Sequence, residues 1–303
     1  MLVKRSLVVS AALALSSVDA LAQPGVTPDP APPTPARYSL PWQLRPAQPG
    51  NVIRADTALS FADPRSTVAS TVLVSMKVTE NLAPMLRLGM VSNSPDTGSG
   101  ATNIENPVFG AMFGLKPIPE LRLGLFLAVT APIGQGGGTP PDAARTAANQ
   151  AGIFARSALD NAMFAVNYFT VFPGIDIAWV ASGLTIQAET TIFRLTRARG
   201  PSTQDSGNTN LTAGVHVGYF VAPFLSLGAE LRHQRWLSTP TAVRNDPTGA
   251  SRDNTTVAIG PRLHIDLGNK RWLRPGIAYV APLDKPMTTA SYKTVFLDVP
   301  FNF

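Results

Sequence analysis

An all-β fold, a transmembrane antiparallel β-barrel of about twelve strands in an up-and-down meander, is predicted for this chain of 303 residues by three observations. Residues 51–303 repeat one pattern, about ten residues of alternating apolar and polar side chains followed by a break, which is typical of membrane-spanning strands. Charged residues make up 15% of the chain, against about 25% in ordinary soluble domains. No stretch after residue 22 reaches the roughly 20 apolar residues that a membrane-spanning helix requires.

The first 50 residues divide into a predicted signal peptide and a proline-rich linker. Lys4 and Arg5 precede an apolar run, and small residues at Ala20 and Ala22 precede a cleavage site before Gln23, which is the pattern of a secretory signal peptide over residues 1–22. Residues 23–50 hold nine of the 28 prolines and are predicted to be an extended linker. Its polarity is interrupted by Tyr38, Leu40, Trp42 and Leu44. We favour an unstructured tether, with docking into the mouth of the barrel or onto a partner as the alternatives.

The alternation predicts twelve strands in order along the chain. In each of them one set of alternate side chains is apolar and the other is rich in Gly, Ser, Thr and isolated charges. The sixth strand is apolar on both faces, and its turn cannot be placed between residues 173 and 183. The predicted strands are residues 52–61, 67–78, 84–91, 108–115, 121–130, 162–172, 184–195, 211–219, 225–234, 256–267, 273–283 and 293–303.

The closing strand, residues 293–303, sorts its side chains into two faces. One face is wholly apolar and consists of Val295, Leu297, Val299, Phe301 and Phe303. This strand resembles the terminal strand of Gram-negative outer-membrane β-barrels, a group of porin- and transporter-like proteins in which that strand ends in Phe after alternating apolar residues. The resemblance implies an insertion signal for the barrel-assembly machinery, a position in the outer membrane among its lipids and lipopolysaccharide, and a periplasmic location for the linker 23–50.

Breaks between the predicted strands alternate in length, as periplasmic turns and extracellular loops do. Short breaks lie near Asn81, Pro117, Pro223 and Asn269, and long ones begin near Asn93, Pro132, Arg197, Ser238 and Asp284. A soluble β-sandwich or lipocalin-like barrel would use the same period, but its polar face should be dense in charge. Here the apolar faces are nearly free of charge, which contact with lipid predicts because an Arg at the lipid-facing midplane costs roughly 2–4 kcal/mol.

Charged side chains on the polar faces are predicted to line the lumen. They are Arg54, Asp56, Lys77, Arg87, Arg122, Glu189, His216, Glu230, Arg232, Arg262, His264, Asp266, Arg274 and Asp298. We favour a solute path lined by mixed charge. The alternative is that these groups pair with one another and fill the lumen, because about twelve strands enclose far less space than the 16 to 18 that leave an open aqueous channel.

Neither a cofactor nor a metal site is predicted, and no enzymatic activity. The chain has no cysteine, so disulfides and thiolate ligands are excluded. Without residues 1–22 it carries 23 basic and 18 acidic residues, with no basic run dense enough for nucleic acid. His264 lies near Asp266, but a lumen hydrogen-bond network is favoured, because none of the three histidines has a serine two residues away on its own strand. Outer-membrane phospholipases, which carry His and Ser on one strand face, are therefore disfavoured.

Three features of the loops and rims complete the prediction. Pro141 and the alanine-rich residues after it predict a short helix in the third extracellular loop, either folded inward to narrow the lumen or lying outside. The arginines expected near the outer rim are Arg194, Arg197, Arg199, Arg235, Arg244 and Arg252; they could pair with lipopolysaccharide phosphates or remain solvated. The expected interfacial aromatic residues are Phe61, Phe109, Tyr219, Tyr279, Phe301 and Phe303.

The favoured function is a passive channel or transporter for a small solute. The second hypothesis is a closed structural or interaction barrel whose extracellular loops bind a partner. The third is an outer-membrane lipid hydrolase.

Overall fold

The computed structural model describes residues 37–62, 65–285, 287–289 and 292–303. The predicted signal peptide and residues 23–36 of the linker lie outside these ranges. Twelve long strands form the wall. They are β1 Val52–Ala62, β2 Arg65–Ser75, β3 Leu82–Ser94, β4 Val108–Leu115, β5 Leu121–Thr130, β6 Tyr168–Ala181, β7 Leu184–Arg197, β8 Gly207–Ala222, β9 Leu225–Trp236, β10 Asp253–Leu263, β11 Gly276–Pro282 and β12 Lys293–Asn302.

Each strand pairs antiparallel with its neighbours in sequence, and the last strand pairs with the first. The closing ladder runs from Val52 opposite Asn302 to Phe61 opposite Lys293. A closed ladder leaves no edge whose N–H and C=O groups lack partners, which is what a lipid environment demands of a sheet. The predicted fold class, a twelve-stranded antiparallel β-barrel with up-and-down topology, is confirmed.

The two faces of the wall differ as the alternation predicts. Outward side chains such as Val72, Leu127 and Ile259 are exposed and apolar. Inward side chains are buried by the contents of the barrel; most are polar or small, and some, such as Phe126 and Phe296, are large and apolar. In the described strands, the charged residues whose side chains are on the outward face by alternation are Arg194, Arg235, Asp253 and Lys293, all near the end of the barrel that carries the long loops. The rest of the outer surface is therefore an uncharged apolar belt.

We call the two rims the short-turn end and the long-loop end. The first residue of β1, Val52, and the last residue of β12, Asn302, both lie at the short-turn end. A two-residue turn there joins β6 to β7 through Ser182 and Gly183, whose φ angles are 49° and 80°. A two-residue hairpin turn of this hand needs positive φ at both positions, which Gly adopts without strain.

The sixth predicted strand is wrong in its boundaries. Residues 161–164 form a helical turn, and β6 begins only at Tyr168 and continues to Ala181. The stretch looked apolar on both faces because Ala162, Met163 and Phe164 are buried inside the barrel on all sides, an environment that has no period of two. Pro173 lies within β6, opposite Leu127 of β5.

The tenth and eleventh predicted strands are also shorter than expected. β10 ends at Leu263, and the chain then forms a small hairpin of Ile265–Asp266 and Trp272–Leu273 before β11. Two helices follow β5: α1 Ala143–Ala155 and α2 Asn161–Phe164. No helix in the described ranges is long and apolar enough to cross a membrane.

Candidate functional site: the filled lumen

Two segments that do not belong to the wall occupy the interior. We call residues 37–50 the N-terminal plug and residues 131–167 the inserted loop. The plug lies at the short-turn end, where Ser39 N donates to Thr185 Oγ1 at 2.9 Å. Trp42, Leu44 and Ala47 of the plug are buried. This differs from the favoured prediction of an unstructured tether, because the main chain and side chains of residues 38–49 contact inward-facing residues of the wall.

One charged cluster holds the plug beside the closing ladder. The Asp298 carboxylate receives Arg54 Nε at 2.7 Å and Arg262 Nη2 at 2.5 Å. The same two arginines donate to carbonyl groups of the plug: Arg54 Nη2 to Pro41 O at 3.0 Å and Arg262 Nε to Leu40 O at 3.1 Å. Charge-assisted hydrogen bonds of this kind are stronger than neutral ones. The plug is therefore fixed by side chains from opposite ends of the sequence.

A second cluster surrounds Glu230, whose side chain has no exposed surface. Its carboxylate receives Arg232 Nη2 at 2.7 Å, lies 3.5 Å from His216 Nδ1 and accepts the main-chain N–H groups of Trp42 and Gln43. The Trp42 ring meets the His216 ring edge-on, with centroids 5.9 Å apart. Glu230 thus links β8, β9 and the plug.

The third cluster binds the side chain of Arg45. Its guanidinium lies 3.5 Å from Asp176 and 3.6 Å from Glu189, and donates to Thr191 Oγ1 at 2.8 Å. Its main-chain N–H donates to Glu189 Oε2 at 2.6 Å. The guanidinium also lies 4.3 Å from the centroid of the Phe126 ring, within cation–π range. Asp176 was not among the predicted lumen residues, because the alternation of β6 was not recognised.

The inserted loop fills the lumen from the long-loop end. Helix α1 begins after Asp142, whose side chain accepts Arg145 N at 3.0 Å as an N-cap. It buries Ala148, Gly152 and Ala155 and lies against β2 and β3. Of the two predicted positions for this helix, the structure shows the inward one, and the helix narrows the lumen.

A fourth cluster clamps the inserted loop to the wall. Arg156 Nη1 lies 2.6 Å from Asp56 of β1, and Arg87 Nη1 of β3 lies 2.6 Å from Asp160. Arg156 also pairs with Asp160 within the loop. Burial raises the pKa of Asp160, but the guanidinium groups of Arg87 and Arg156 outweigh it and hold this pKa below its ordinary range. Arg156 and Asp160 were not predicted, since they lie in a loop where no strand period applies.

The plug and the inserted loop meet near the middle of the barrel. Gln43 Nε2 donates to Arg156 O at 2.5 Å, and Arg232 Nη1 lies 3.5 Å from Ser157 Oγ. A cavity of about 80 Å³ remains between them. Its polar lining comes from Arg45, Arg54, Asp56, Arg87, Asp160 and Glu189, and aromatic rings of Phe126, Phe172 and Phe193 form its apolar side. That is space for a few water molecules.

Most of the predicted lumen residues lie in the enclosed interior. Those buried are Arg54, Asp56, His216, Glu230, Arg232, Arg262, His264 and Asp298, and those partly buried are Arg87, Arg122, Glu189 and Arg274. Lys77 and Asp266 are exposed at the short-turn end, since β2 and β10 end before them. These two residues do not belong to the lumen set.

On β12 the apolar and polar faces separate as predicted. Leu297 and Val299 are exposed on the outer surface, whereas Phe296 and Asp298 are wholly buried inside. The predicted interfacial residues Phe61, Phe109, Tyr219, Tyr279 and Phe303 are likewise exposed.

Several solved structures have a similar chain path. The NanC porin is similar over 83% of this chain and 98% of its own, with 8% identity and a TM-score of 0.47. The KdgM porin in complex with disordered oligogalacturonate is similar over 82% of this chain and 99% of its own, with 9% identity and a TM-score of 0.45. The beta domain of the Bordetella autotransporter BrkA is similar over 84% of this chain and 100% of its own, with 10% identity and a TM-score of 0.46. No protein-family model matches the chain, and no curated protein matches its sequence.

A serine and a histidine meet in the lumen although the sequence did not pair them. Ser226 Oγ of β9 lies 2.9 Å from His264 Nε2, just beyond β10. Only serines on the same strand as a histidine enter the prediction, whereas this pair joins β9 to the residue that follows β10. Both residues are buried, and Ser39 of the plug donates to Ser226 Oγ at 3.3 Å. The pair therefore faces the plug rather than lipid, and in the described part of the chain no carboxylate forms a hydrogen bond with the His264 ring.

Most of the rim arginines form hydrogen bonds or ion pairs with residues of the loops. Arg199 donates to the carbonyls of Val166 and Gly134, and Arg197 to that of Pro201. The rim ion pairs are Arg235 with Asp253 at 3.3 Å and Arg244 with Asp205 at 3.4 Å. Arg252 donates to the carbonyl of Trp236, and Arg194, which is exposed on the outer surface, donates to Thr209 Oγ1.

Proposed function

We propose that this protein is an outer-membrane barrel that passes a small solute, and that the path is closed in this conformation by the N-terminal plug and the inserted loop. The predicted signal peptide and the apolar face of β12 support export and insertion by the barrel-assembly machinery. The uncharged outer belt supports a bilayer as its surroundings, because charge at the lipid-facing midplane is costly.

One observation carries the transport function: the interior is filled mainly by two segments from outside the wall. A barrel that is closed for structural reasons can fill its lumen with inward wall side chains alone. Here the wall keeps glycines opposite the plug, at Gly214, Gly218 and Gly228 among others, so its interior would be wider without the plug. The hydrogen bonds of the strands do not involve the plug, so the wall does not need it for closure.

The test is conductance in voltage-clamped planar bilayers. We expect the intact chain to give few and small steps, and a variant lacking residues 37–49 to give discrete, ion-selective steps. Heat-modified migration in gels and circular dichroism would establish that both proteins are folded barrels. A second variant lacks residues 139–156 as well. If both folded variants show no conductance, the channel is contradicted and the closed interaction barrel is favoured.

The remaining partners are proposed on the same basis. Arg194 and Arg235 are exposed at the long-loop end just above the apolar belt, where lipopolysaccharide phosphates would lie. We propose no enzymatic role, since Ser226 faces the plug. In addition, burial and then the charges of Arg274 and Arg262 lower the pKa of His264, which weakens it as a general base.

A further inference from the structure

The wall recognises the main chain of the plug at successive residues. Carboxylates of Glu230 and Glu189 accept the N–H groups of Gln43 at 3.3 Å and Arg45 at 2.6 Å. Guanidinium groups of Arg54 and Arg262 donate to Pro41 O at 3.0 and 3.2 Å. Groups of this kind recognise any extended peptide, because N–H donors and C=O acceptors are common to every sequence.

Among the described residues, Arg45 is the one plug side chain that forms ion pairs. Arg45 lies between the carboxylates of Asp176 and Glu189 and over the Phe126 ring. Glu230 keeps Arg232 as a partner, and Asp298 keeps two arginines, when the plug is absent. In the described residues, neither Asp176 nor Glu189 forms an ion pair with any other cation. Without the plug, the groove would therefore present two neighbouring carboxylates with no bound cation, and a guanidinium is the cation whose planar donors suit carboxylates best.

Glycines in the wall leave room for the plug's path. A Cβ on Gly276 would lie 2.8 Å from Trp42 Nε1, and one on Gly228 would lie 3.1 Å from the Trp42 ring. The wall glycines whose Cβ would meet the plug are Gly114, Gly124, Gly174, Gly214, Gly218, Gly228 and Gly276, on six different strands. Since a strand interior otherwise disfavours glycine, their distribution indicates a groove shaped for the irregular chain path of the plug.

We propose that this groove is a binding site for a peptide segment that carries an arginine, and that the plug is its internal occupant. The inference rests on the proposed transport function and specifies its solute: an arginine-bearing peptide would take the place of residues 40–45, with its guanidinium between Asp176 and Glu189. Passage of the solute requires the plug to leave the same groups.

The experiment uses the whole chain with a protease site inserted between Pro49 and Gly50, cut after the barrel has folded. We expect cutting and washing to raise conductance in planar bilayers. A synthetic peptide with the sequence of residues 38–48 should then block the current, and so should an unrelated extended peptide with one arginine. The same peptides with citrulline in place of arginine should block about ten- to a hundredfold more weakly, because one charged hydrogen-bonded contact is lost.

A wall variant provides the matched control for charge. In the cut barrel with both Asp176→Asn and Glu189→Gln, arginine and citrulline peptides should block equally, whereas Asp205→Asn at the rim should keep the preference for arginine. If cutting raises conductance and no peptide blocks it, or if free guanidinium blocks as well as the peptides, the peptide site is refuted while the channel stands. If cutting leaves conductance unchanged, also in a variant without residues 139–156, the channel fails. Fluorescence anisotropy of a labelled peptide on the cut and washed barrel then still decides the site: binding that prefers arginine supports it, and absence of binding refutes it.

Discussion

Carboxylates removed from water position the contents of the lumen. Asp298 and Glu230 have exposed fractions of 0%, and both are bonded to wall arginines. A buried charge is costly unless it is paired and hydrogen-bonded, so each carboxylate restricts where its partners can lie. Because those partners include main-chain groups of the plug, a few charged residues determine how the lumen is filled.

Asp160→Asn should loosen the inserted loop. The substitution leaves Arg87 without its 2.6 Å partner and removes one of the two carboxylates that pair with Arg156. Breaking a buried pair of this kind costs about 3 kcal/mol, which corresponds to roughly a hundredfold faster amide exchange in α1 if the loop opens locally. The rate of amide exchange in α1 can be measured by hydrogen–deuterium exchange mass spectrometry.

Asp142→Asn in the same loop is the matched control. Its ion pair with Arg145 is exposed and 3.9 Å long, and Asn caps a helix about as well as Asp. Its exchange in α1 should match the wild-type protein. Equal exchange in all three proteins would show that the Asp160 clamp does not hold the loop.

At the scale of elements, the wall and its contents obey different rules. The strands are joined by main-chain hydrogen bonds from β1 to β12, and β12 is joined to β1 in the same way. The plug has no regular secondary structure and is held by side chains of the wall. A change on the inner face of a strand can therefore release the plug without disturbing the barrel.

Gly214→Val should expel the plug. A Cβ at Gly214 would overlap the Leu44 side chain, and overpacking of this kind costs about 1–3 kcal/mol, while valine suits the strand itself. Trp42, which is buried in the wild-type protein, should become a site of rapid chymotryptic cleavage. Ala213→Val, on the outer face of the same strand, should leave Trp42 protected. Equal protection in both variants would contradict the close contact between Leu44 and β8.

The period of two predicted the wall well because each strand separates a lipid face from an interior face. It predicted nothing about the contents, since residues such as Trp42 and Met163 are surrounded on all sides. Ion pairs such as Arg54 with Asp298 form only when the barrel closes, because their residues lie 244 positions apart. The same limit explains why Ser226 on β9 and His264, just after the end of β10, were not paired from the sequence.

For the whole molecule, the decisive property is the exclusion of charge from the outward faces of the described strands, except near the long-loop end. Water offers no reason for that exclusion, since a soluble barrel gains from a charged exterior. A bilayer explains the exclusion, because a charged side chain in contact with lipid destabilises the barrel by an amount that increases toward the middle of the bilayer. Position along one strand should therefore determine how much an added charge destabilises the barrel.

Val215→Arg and Val221→Arg test this on the outer face of β8. Both side chains are exposed, at 42% and 51%, so neither substitution disturbs the interior. Val215 lies midway along the strand opposite Leu231, and Val221 lies beside the short-turn end. In lipid vesicles we expect Val215→Arg to lower the free energy of unfolding by about 2–4 kcal/mol and Val221→Arg by about 0–1 kcal/mol, measured by urea titration of tryptophan fluorescence. Small and equal losses for the two variants would mean that this face contacts water, because in water the depth of an arginine along the strand has no effect on its solvation.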